Sequence, residues 1–122
     1  MRDRSDRPGA LPLPDGSTRF RIWAPFAREA AVEIVHPSAR KVPMHAGTGG
    51  FFETRVADLG PGADYRYLLD GTKERPDPWS RFQPEGVHGP SRVVDPDAFS
   101  WTDSAWKGLP APRLVIYELH VG

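Results

Sequence analysis

The amino-acid sequence predicts an all-β protein built as a sandwich of antiparallel sheets. Five short runs are rich in β-branched and aromatic residues, and most of them alternate apolar and polar positions as half-buried strands do. A turn signal with Gly, Pro or Asp ends each run within about ten residues. No segment carries the apolar period of an amphipathic helix. Many short strands separated by close turns are typical of a β-sandwich.

The first two predicted strands cover residues 18–24 and 31–35. In the first of them, Phe20 and Ile22 share one face, because successive side chains of a strand point to opposite sides. Trp23 is assigned to the core, because it stands on a regular strand just before the Ala-Pro pair that ends it.

Three further runs complete the five strands, and one additional short strand follows them. The run at residues 40–45 is weak, and Pro43 inside it indicates a short or edge strand because Pro cannot donate a ladder hydrogen bond. The other two runs are residues 51–56 and 65–69, and the additional short strand is residues 92–94.

A tyrosine follows the Gly/Pro-rich corner at residues 59–64. Tyr65 starts a strand there, and Tyr67 shares its face. This arrangement is typical of the tyrosine corner of immunoglobulin-like sandwiches, in which the hydroxyl bonds to upstream backbone. We therefore expect the Tyr65 hydroxyl to bond back to upstream backbone.

Composition shifts divide the chain into four segments. Residues 1–15 are polar and broken by Pro, which predicts a flexible N-terminal tail. The sandwich is assigned to residues 16–96 and a linker to residues 97–112. Residues 113–122 contain the most strand-like run of the sequence, and its continuous apolar stretch suits a strand of a parallel sheet buried on both faces. We expect it to be the first strand of a further domain. Without that domain, this run should be mobile or should pair with the same run of a second molecule.

Charge and cysteine content exclude several functions. Sixteen basic and sixteen acidic residues give a net charge of zero, which argues against nucleic acid or an anionic membrane as a partner. The chain has no cysteine, so a disulfide framework and a thiolate metal site are excluded. The four histidines lack metal-ligand spacing, and we predict no metal and no other cofactor.

Three tryptophans outside the regular strands are candidates for sugar binding. Trp79, Trp101 and Trp106 stand in irregular segments, where an exposed indole could stack on a sugar ring. The alternative is that these rings pack at a domain interface or under the sandwich, because large aromatic side chains are costly to expose.

One pair of titratable residues is a candidate for general acid–base catalysis. Glu118 and His120 are two residues apart on the last predicted strand. Glycosidase carboxylates flank the scissile bond from different strands, so one strand cannot supply both. We therefore assign no catalytic residue and interpret this pair as a buried, hydrogen-bonded polar pair of a barrel.

Several stretches resemble a known superfamily. Three of them resemble the N-terminal early-set immunoglobulin-like domain of the α-amylase superfamily: FRIWAP at residues 20–25, AVEI at 31–34 and LGPGADYRY at 59–67. YELHVG at residues 117–122 looks like the first strand of the (β/α)8 barrel of those enzymes. The more specific stretch DPWSRFQPEGVHGPS, at residues 77–91, resembles the maltooligosyltrehalose trehalohydrolase family.

This resemblance implies a cytoplasmic glycosidase of trehalose biosynthesis. Such enzymes hydrolyse the α-1,4 bond next to the terminal trehalose unit of a maltooligosaccharide, and their Asp nucleophile, Glu acid and second Asp lie on later barrel strands. No residue of this chain matches those three. The expected partners are the catalytic barrel of the same protein and, for a stand-alone module, α-1,4-glucan or maltooligosyltrehalose.

Two alternatives remain open at this point. The chain could be an α-glucan-binding module that acts through the three tryptophans. It could also be the front domain of a branching or debranching enzyme, although QPEGVHGP at residues 83–90 argues against a branching enzyme.

Overall fold

The computed structural model describes residues 6–122 and confirms an all-β protein with antiparallel sheets. Within that range the strands are β1 (Gly9–Pro12), β2 (Thr18–Trp23), β3 (Ala30–His36), β4 (Arg40–Pro43), β5 (His45–Ala46), β6 (Phe51–Val56), β7 (Asp64–Leu69), β8 (Lys73–Arg75) and β9 (Ser91–Arg92). One sheet has the order β1-β2-β6-β5. The other has the order β4-β3-β7-β8, and β9 also pairs with β7. This is consistent with an immunoglobulin-like sandwich.

The core lies between the two sheets, where the alternation predicted it. Phe20 and Ile22 of β2 are buried, and they belong to one cluster with Val32 of β3 and with Tyr65 and Tyr67 of β7. The rings of Phe20 and Tyr65 meet edge to face with centroids 4.8 Å apart. An edge-to-face contact of this kind adds about 1 kcal/mol beyond the area that the rings bury.

The weak strand predicted around Pro43 is an edge strand. β4 pairs only with β3 in the described part of the chain and ends at Pro43. Residues 45–46 then join the other sheet as β5, paired with β6. The prediction of a short edge strand is therefore confirmed, although it extended two residues too far.

The predicted flexible tail is wrong for residues 9–12. These residues form β1, which pairs with β2 from Gly9 opposite Arg21 to Pro12 opposite Thr18. Ala10 is buried in the core. The segment GALP has no strand-like alternation, and it becomes a strand because β2 offers it an unpaired edge and a buried site. Residues 1–5 lie outside the described residues.

Two short strands border the long segment that follows β7. β8 is not among the strands that the sequence predicts, and it pairs with the second half of β7. β9 pairs with the beginning of β7. It starts one residue before the predicted strand at residues 92–94 and ends two residues before the end of that prediction. Both strands lie along the same edge of β7, and they hold the two ends of the intervening segment against the second sheet.

The strand predicted at residues 113–122 does not form. A short 3₁₀ turn spans Ala111–Arg113, and residues 114–122 have no regular structure. Val115 is 96% exposed. An extended run becomes a strand only when its backbone groups pair with a neighbour, and no strand pairs with this run within residues 6–122. None of the helical segments in that range is long and apolar enough to span a membrane.

Candidate functional site

A buried carboxylate joins the segment after β8 to the core. Asp77 is 3% exposed. Its Oδ2 accepts hydrogen bonds from the hydroxyls of Tyr65, at 2.5 Å, and Tyr67, at 3.4 Å. Its Oδ1 accepts one from the Trp79 backbone N–H at 2.8 Å, which closes an Asx turn. The Asp77 N–H donates to Ser91 Oγ at 3.1 Å, so both ends of the loop at residues 77–91 are tied together.

This network extends the predicted tyrosine corner, because the Tyr65 hydroxyl has a backbone hydrogen bond with the upstream Ala10 and a second partner downstream. Tyr65 does begin its strand after the Gly/Pro corner, and its hydroxyl donates to the downstream carboxylate of Asp77. Burial raises the pKa of Asp77, while the two tyrosine hydroxyls and the Trp79 N–H oppose that rise. Burial, together with the charge of Asp77, raises the pKa of Tyr65 and Tyr67. The hydroxyls of Tyr65 and Tyr67 are thus the donors, and the carboxylate of Asp77 is the acceptor.

Trp79 lies where the loop meets β1. A Cβ added at Gly9, whose φ is +95°, would lie 3.3 Å from Trp79 Cβ. Arg81 Nη1 also donates to the Ala10 carbonyl at 3.0 Å. The backbone of Trp79 is therefore fixed by Asp77 and β1, while its side chain remains 45% exposed.

A side-chain amide and two backbone hydrogen bonds, from Gly86 N–H to the Gln83 carbonyl and from Gly89 N–H to the Gly86 carbonyl, hold the tip of this loop. Gln83 Nε2 lies 3.4, 3.1 and 3.3 Å from the carbonyl oxygens of Gly86, Val87 and Gly89. Val87 is exposed at the tip. The loop at residues 77–91 is thus an ordered projection, with internal partners at its base and at its tip.

The other two candidate tryptophans lie away from regular strands. Trp101 and Trp106 are exposed, and the ring of Trp101 meets that of Phe99 edge to face at 4.9 Å. Neither indole packs under the sandwich. The three candidate tryptophans make no ring contact with one another in the described chain. The structure therefore does not assemble them into one surface.

Trp23, which was predicted to lie in the core, is half exposed. It stands on the outer face of β2, opposite the buried residues. Its Nε1 donates to the Gly49 carbonyl at 2.9 Å. Phe26, in the turn after β2, is 97% exposed. Sequence reasoning missed this aromatic pair, although the strict alternation of β2 already placed Trp23 on the outer face.

The outer face of the first sheet carries a polar groove of about 670 Å³. The guanidinium of Arg21 lies 4.3 Å from the centroid of the Phe51 ring, and its Nε is 3.8 Å from Glu53 Oε2. Arg55 forms an ion pair with Asp15. Three arginines, Arg19, Arg21 and Arg55, and one carboxylate, Glu53, line this groove.

The described residues contain no candidate metal centre. No group of three His, Cys, Asp or Glu side chains among residues 6–122 could hold a metal ion. Glu118 and His120 are exposed, and residues 114–122 pair with no strand among residues 6–122.

Comparison with protein families decides where the chain belongs. Residues 8–94 match the family model of carbohydrate-binding module 48, described as the isoamylase N-terminal domain. The chain belongs to this family. The match begins before β1 and ends after β9, so it encloses both sheets and the loop at residues 77–91.

The similar curated proteins include malto-oligosyltrehalose trehalohydrolases and 1,4-α-glucan branching enzymes. The malto-oligosyltrehalose trehalohydrolase of Deinococcus radiodurans is 45% identical over 121 residues, which is 98% of this chain and 19% of that enzyme. The enzyme of the same name from Saccharolobus solfataricus is 41% identical over 108 residues, or 88% of this chain and 18% of that enzyme. A 1,4-α-glucan branching enzyme of Xanthomonas oryzae is 34% identical over 119 residues, or 86% of this chain and 16% of that enzyme. The chain thus spans about a fifth of the length of these relatives.

The similar solved structures have the same sandwich. A putative α-amylase from Salmonella typhimurium has a TM-score of 0.75 and 34% identity over 84% of this chain and 17% of that one. A pullulanase from Paenibacillus barengoltzii, solved with maltohexaose and α-cyclodextrin, has a TM-score of 0.60 and 31% identity over 73% of this chain and 14% of that one. The predicted resemblance to the N-terminal part of the trehalohydrolases and to their superfamily is confirmed. The module 48 sandwich is therefore the N-terminal domain type of a glycoside hydrolase.

Proposed function

We propose that this chain is the non-catalytic N-terminal domain of an enzyme that hydrolyses the α-1,4 bond next to the terminal trehalose unit of maltooligosyltrehalose. The single observation that carries the proposal is the 45% identity to the Deinococcus radiodurans trehalohydrolase, which extends over 121 residues. That alignment continues past residue 94, where the module 48 match ends. The branching-enzyme relative is less similar, at 34% identity. We place the enzyme in the cytoplasm and in trehalose biosynthesis.

The role proposed for the domain is to pack against the catalytic barrel of the same protein. Residues 97–122 expose a series of large apolar side chains, namely Phe99, Trp101, Trp106, Leu109, Leu114, Val115, Ile116, Tyr117, Leu119 and Val121. Soluble proteins rarely leave so much apolar surface uncovered. A catalytic domain packed on this segment would cover these side chains, and pairing in its sheet would give residues 114–121 the strand partners that they lack here.

Trehalose release tests this proposal. Maltooligosyltrehalose is incubated either with the product of the complete reading frame or with the purified 122-residue chain, and trehalose is measured. We expect trehalose from the complete product and none above blank from the chain alone. Trehalose released by the chain alone would show that the domain is catalytic. New α-1,6 branches on amylose made by the complete product, without trehalose release, would identify a branching enzyme.

A second candidate function is α-glucan binding. The family is that of a carbohydrate-binding module, and a related pullulanase was solved with maltohexaose. This chain exposes aromatic rings, including the half-exposed Trp79, whose backbone is fixed by Asp77. Affinity electrophoresis in gels containing amylose tests the function, with a gel without glucan as the control. Retardation specific to the amylose gel is expected, and unchanged mobility would remove this candidate.

A further inference from the structure

We propose that a cleft at one end of the sandwich, formed by Trp23 and Phe26, binds a single glucose ring of an α-glucan. The inference rests on the glucan-binding function proposed above and names its site. Trp23 is 50% exposed and Phe26 is 97% exposed, and both line the same cleft of about 220 Å³. This is smaller than the roughly 300–1,000 Å³ of pockets for drug-sized ligands, so it suits one sugar ring at a time.

The indole of Trp23 is held in place before any ligand arrives. Its Nε1 donates to the Gly49 carbonyl at 2.9 Å. The Ala24 N–H donates to the Gly50 carbonyl at 2.9 Å. Gly50 has a φ of +82°, and a Cβ there would lie 2.7 Å from Pro25 Cβ, so the two turns touch closely. A ring fixed in this way loses little conformational entropy when a ligand stacks on it.

Polar groups line the same cleft as the aromatic pair. Asp70 and Lys73 line it, and Asp70 Oδ2 lies 3.7 Å from Lys73 Nζ. The other oxygen, Oδ1, accepts the Arg28 N–H at 2.8 Å, which fixes the carboxylate and joins the turn after β7 to the turn before β3. The backbone bond from Arg28 is also the main reason that the pKa of Asp70 is lowered. The carboxylate is therefore ionised at neutral pH.

This combination fits a sugar ring better than an apolar peptide. The C–H face of a pyranose lies flat on an aromatic ring, while its hydroxyls need donors and acceptors at the ring edge. Trp23 and Phe26 supply the first requirement, and Asp70 and Lys73 supply the second. Trp101 and Trp106 lie in segments without regular structure, and the cavity that holds Trp23 includes neither of them. The cleft is thus better organised for a sugar than the surroundings of Trp101 and Trp106.

Titration of the 122-residue chain with maltoheptaose tests the site. The indole N–H signals are followed by NMR, with cellohexaose as the control sugar. We expect the signal of Trp23 to shift with maltoheptaose only. Phe26→Ala should weaken binding about fivefold, because it removes one exposed ring without touching the core. Val87→Ala, which trims an exposed apolar residue on a different loop, should leave the affinity unchanged.

The other outcomes overturn the inference in distinguishable ways. Binding that survives Phe26→Ala but is lost in Trp79→Ala would keep the glucan function and reject this site. No binding of maltoheptaose at all would reject both the site and the glucan function. Sedimentation that shows a dimer of the chain, dissociated by Phe26→Ala, would assign the aromatic pair to contact between copies and reject a sugar site.

Discussion

Asp77 is the residue on which both the core and the projecting loop depend. A carboxylate is expensive to bury, and the cost is offset only when its oxygens are fully hydrogen-bonded. Here the two tyrosine hydroxyls and the Trp79 N–H supply the donors. The same atoms connect β7 to the loop at residues 77–91. One buried side chain therefore positions an otherwise irregular segment that carries Trp79.

Replacing Asp77 should destabilise the fold. Asp77→Ala leaves two buried hydroxyls and a backbone N–H without their acceptor, and each loss costs about 1–3 kcal/mol. Because the tyrosines can partly re-pair, we expect the free energy of unfolding in urea to fall by about 2–4 kcal/mol. Asp103→Ala, at an exposed carboxylate, is the matched control and should change it by less than about 0.5 kcal/mol. A loss below 1 kcal/mol for the Asp77 variant would show that water replaces the carboxylate.

Asp64 gives the stability a pH dependence of the opposite sign to that of Asp77. Its two carboxylate oxygens accept hydrogen bonds from Arg92 at 2.7 and 2.9 Å, and this pairing lowers the pKa of Asp64. A carboxyl whose pKa is lower in the folded state stabilises the fold above its unfolded pKa, and that stabilisation is lost as the pH falls through the folded pKa. The raised pKa of Asp77 acts in reverse, since it favours the folded state as the pH falls.

Asp64→Asn should therefore matter less in acid. At pH 7 the variant lacks the charged pair with Arg92 and should be less stable than the natural chain. Below about pH 4 the carboxyl of the unfolded chain becomes protonated, so the difference in unfolding free energy should shrink progressively as the pH falls further. Urea unfolding of both proteins across this range measures it. A difference that stays constant with pH would show that the Asp64–Arg92 pair contributes no electrostatic stability.

At the scale of elements, the strands with alternating apolar residues were predictable from the sequence. The strands that form only by pairing with the edge of another strand were not. β2, β3, β6 and β7 have β-branched or aromatic residues at alternating positions, and all four lie where the sequence placed them. β1 and β8 have neither signal. They exist because β2 and β7 present an edge, and edge pairing is a tertiary property that local sequence does not record.

The junction between β1 and the loop gives a sharp test at this scale. Gly9→Ala places a Cβ 3.3 Å from Trp79 Cβ, at a φ of +95° that favours glycine. Gly62→Ala is a matched control, because its φ is +94° and nothing lies within 4 Å of the added Cβ. Both variants should lose about 1 kcal/mol or more from backbone strain. Only the Gly9 variant should also lose protection of β1 amides in hydrogen exchange, and equal behaviour of the two would show that the contact with Trp79 is unimportant.

The candidate site was only partly predictable for a related reason. Trp79 was identified because it interrupts an irregular Pro-rich stretch, but its anchor, Asp77, was not, because only the fold brings Tyr65 and Tyr67 to it. Trp23 was assigned to the core from its place on a strand. Its exposure follows from the face that it occupies, and its orientation follows from a hydrogen bond to Gly49 in a distant turn.

At the scale of the whole molecule, the sandwich and the segment after it behave as different kinds of structure. The buried hydrophobic cluster contains residues from Ala10 to Val93 and none from residues 97–122. The apolar side chains of that segment, from Phe99 to Val121, are exposed. Stability of the isolated chain should thus reside in the sandwich, whereas residues 97–122 should depend on whatever domain packs against them.

A truncation tests this division together with the proposed packing. A chain ending at residue 96 should unfold in urea within about 1 kcal/mol of the 122-residue chain, because no core residue is removed. Backbone amides from Val115 to Leu119 should exchange rapidly in the 122-residue chain, since they lack strand partners there. In the product of the complete reading frame the same amides should be protected, because pairing in the catalytic domain would bury them. A large loss of stability on truncation would show that the segment supports the sandwich instead. Rapid exchange in the complete product would contradict the packing proposed for residues 114–121.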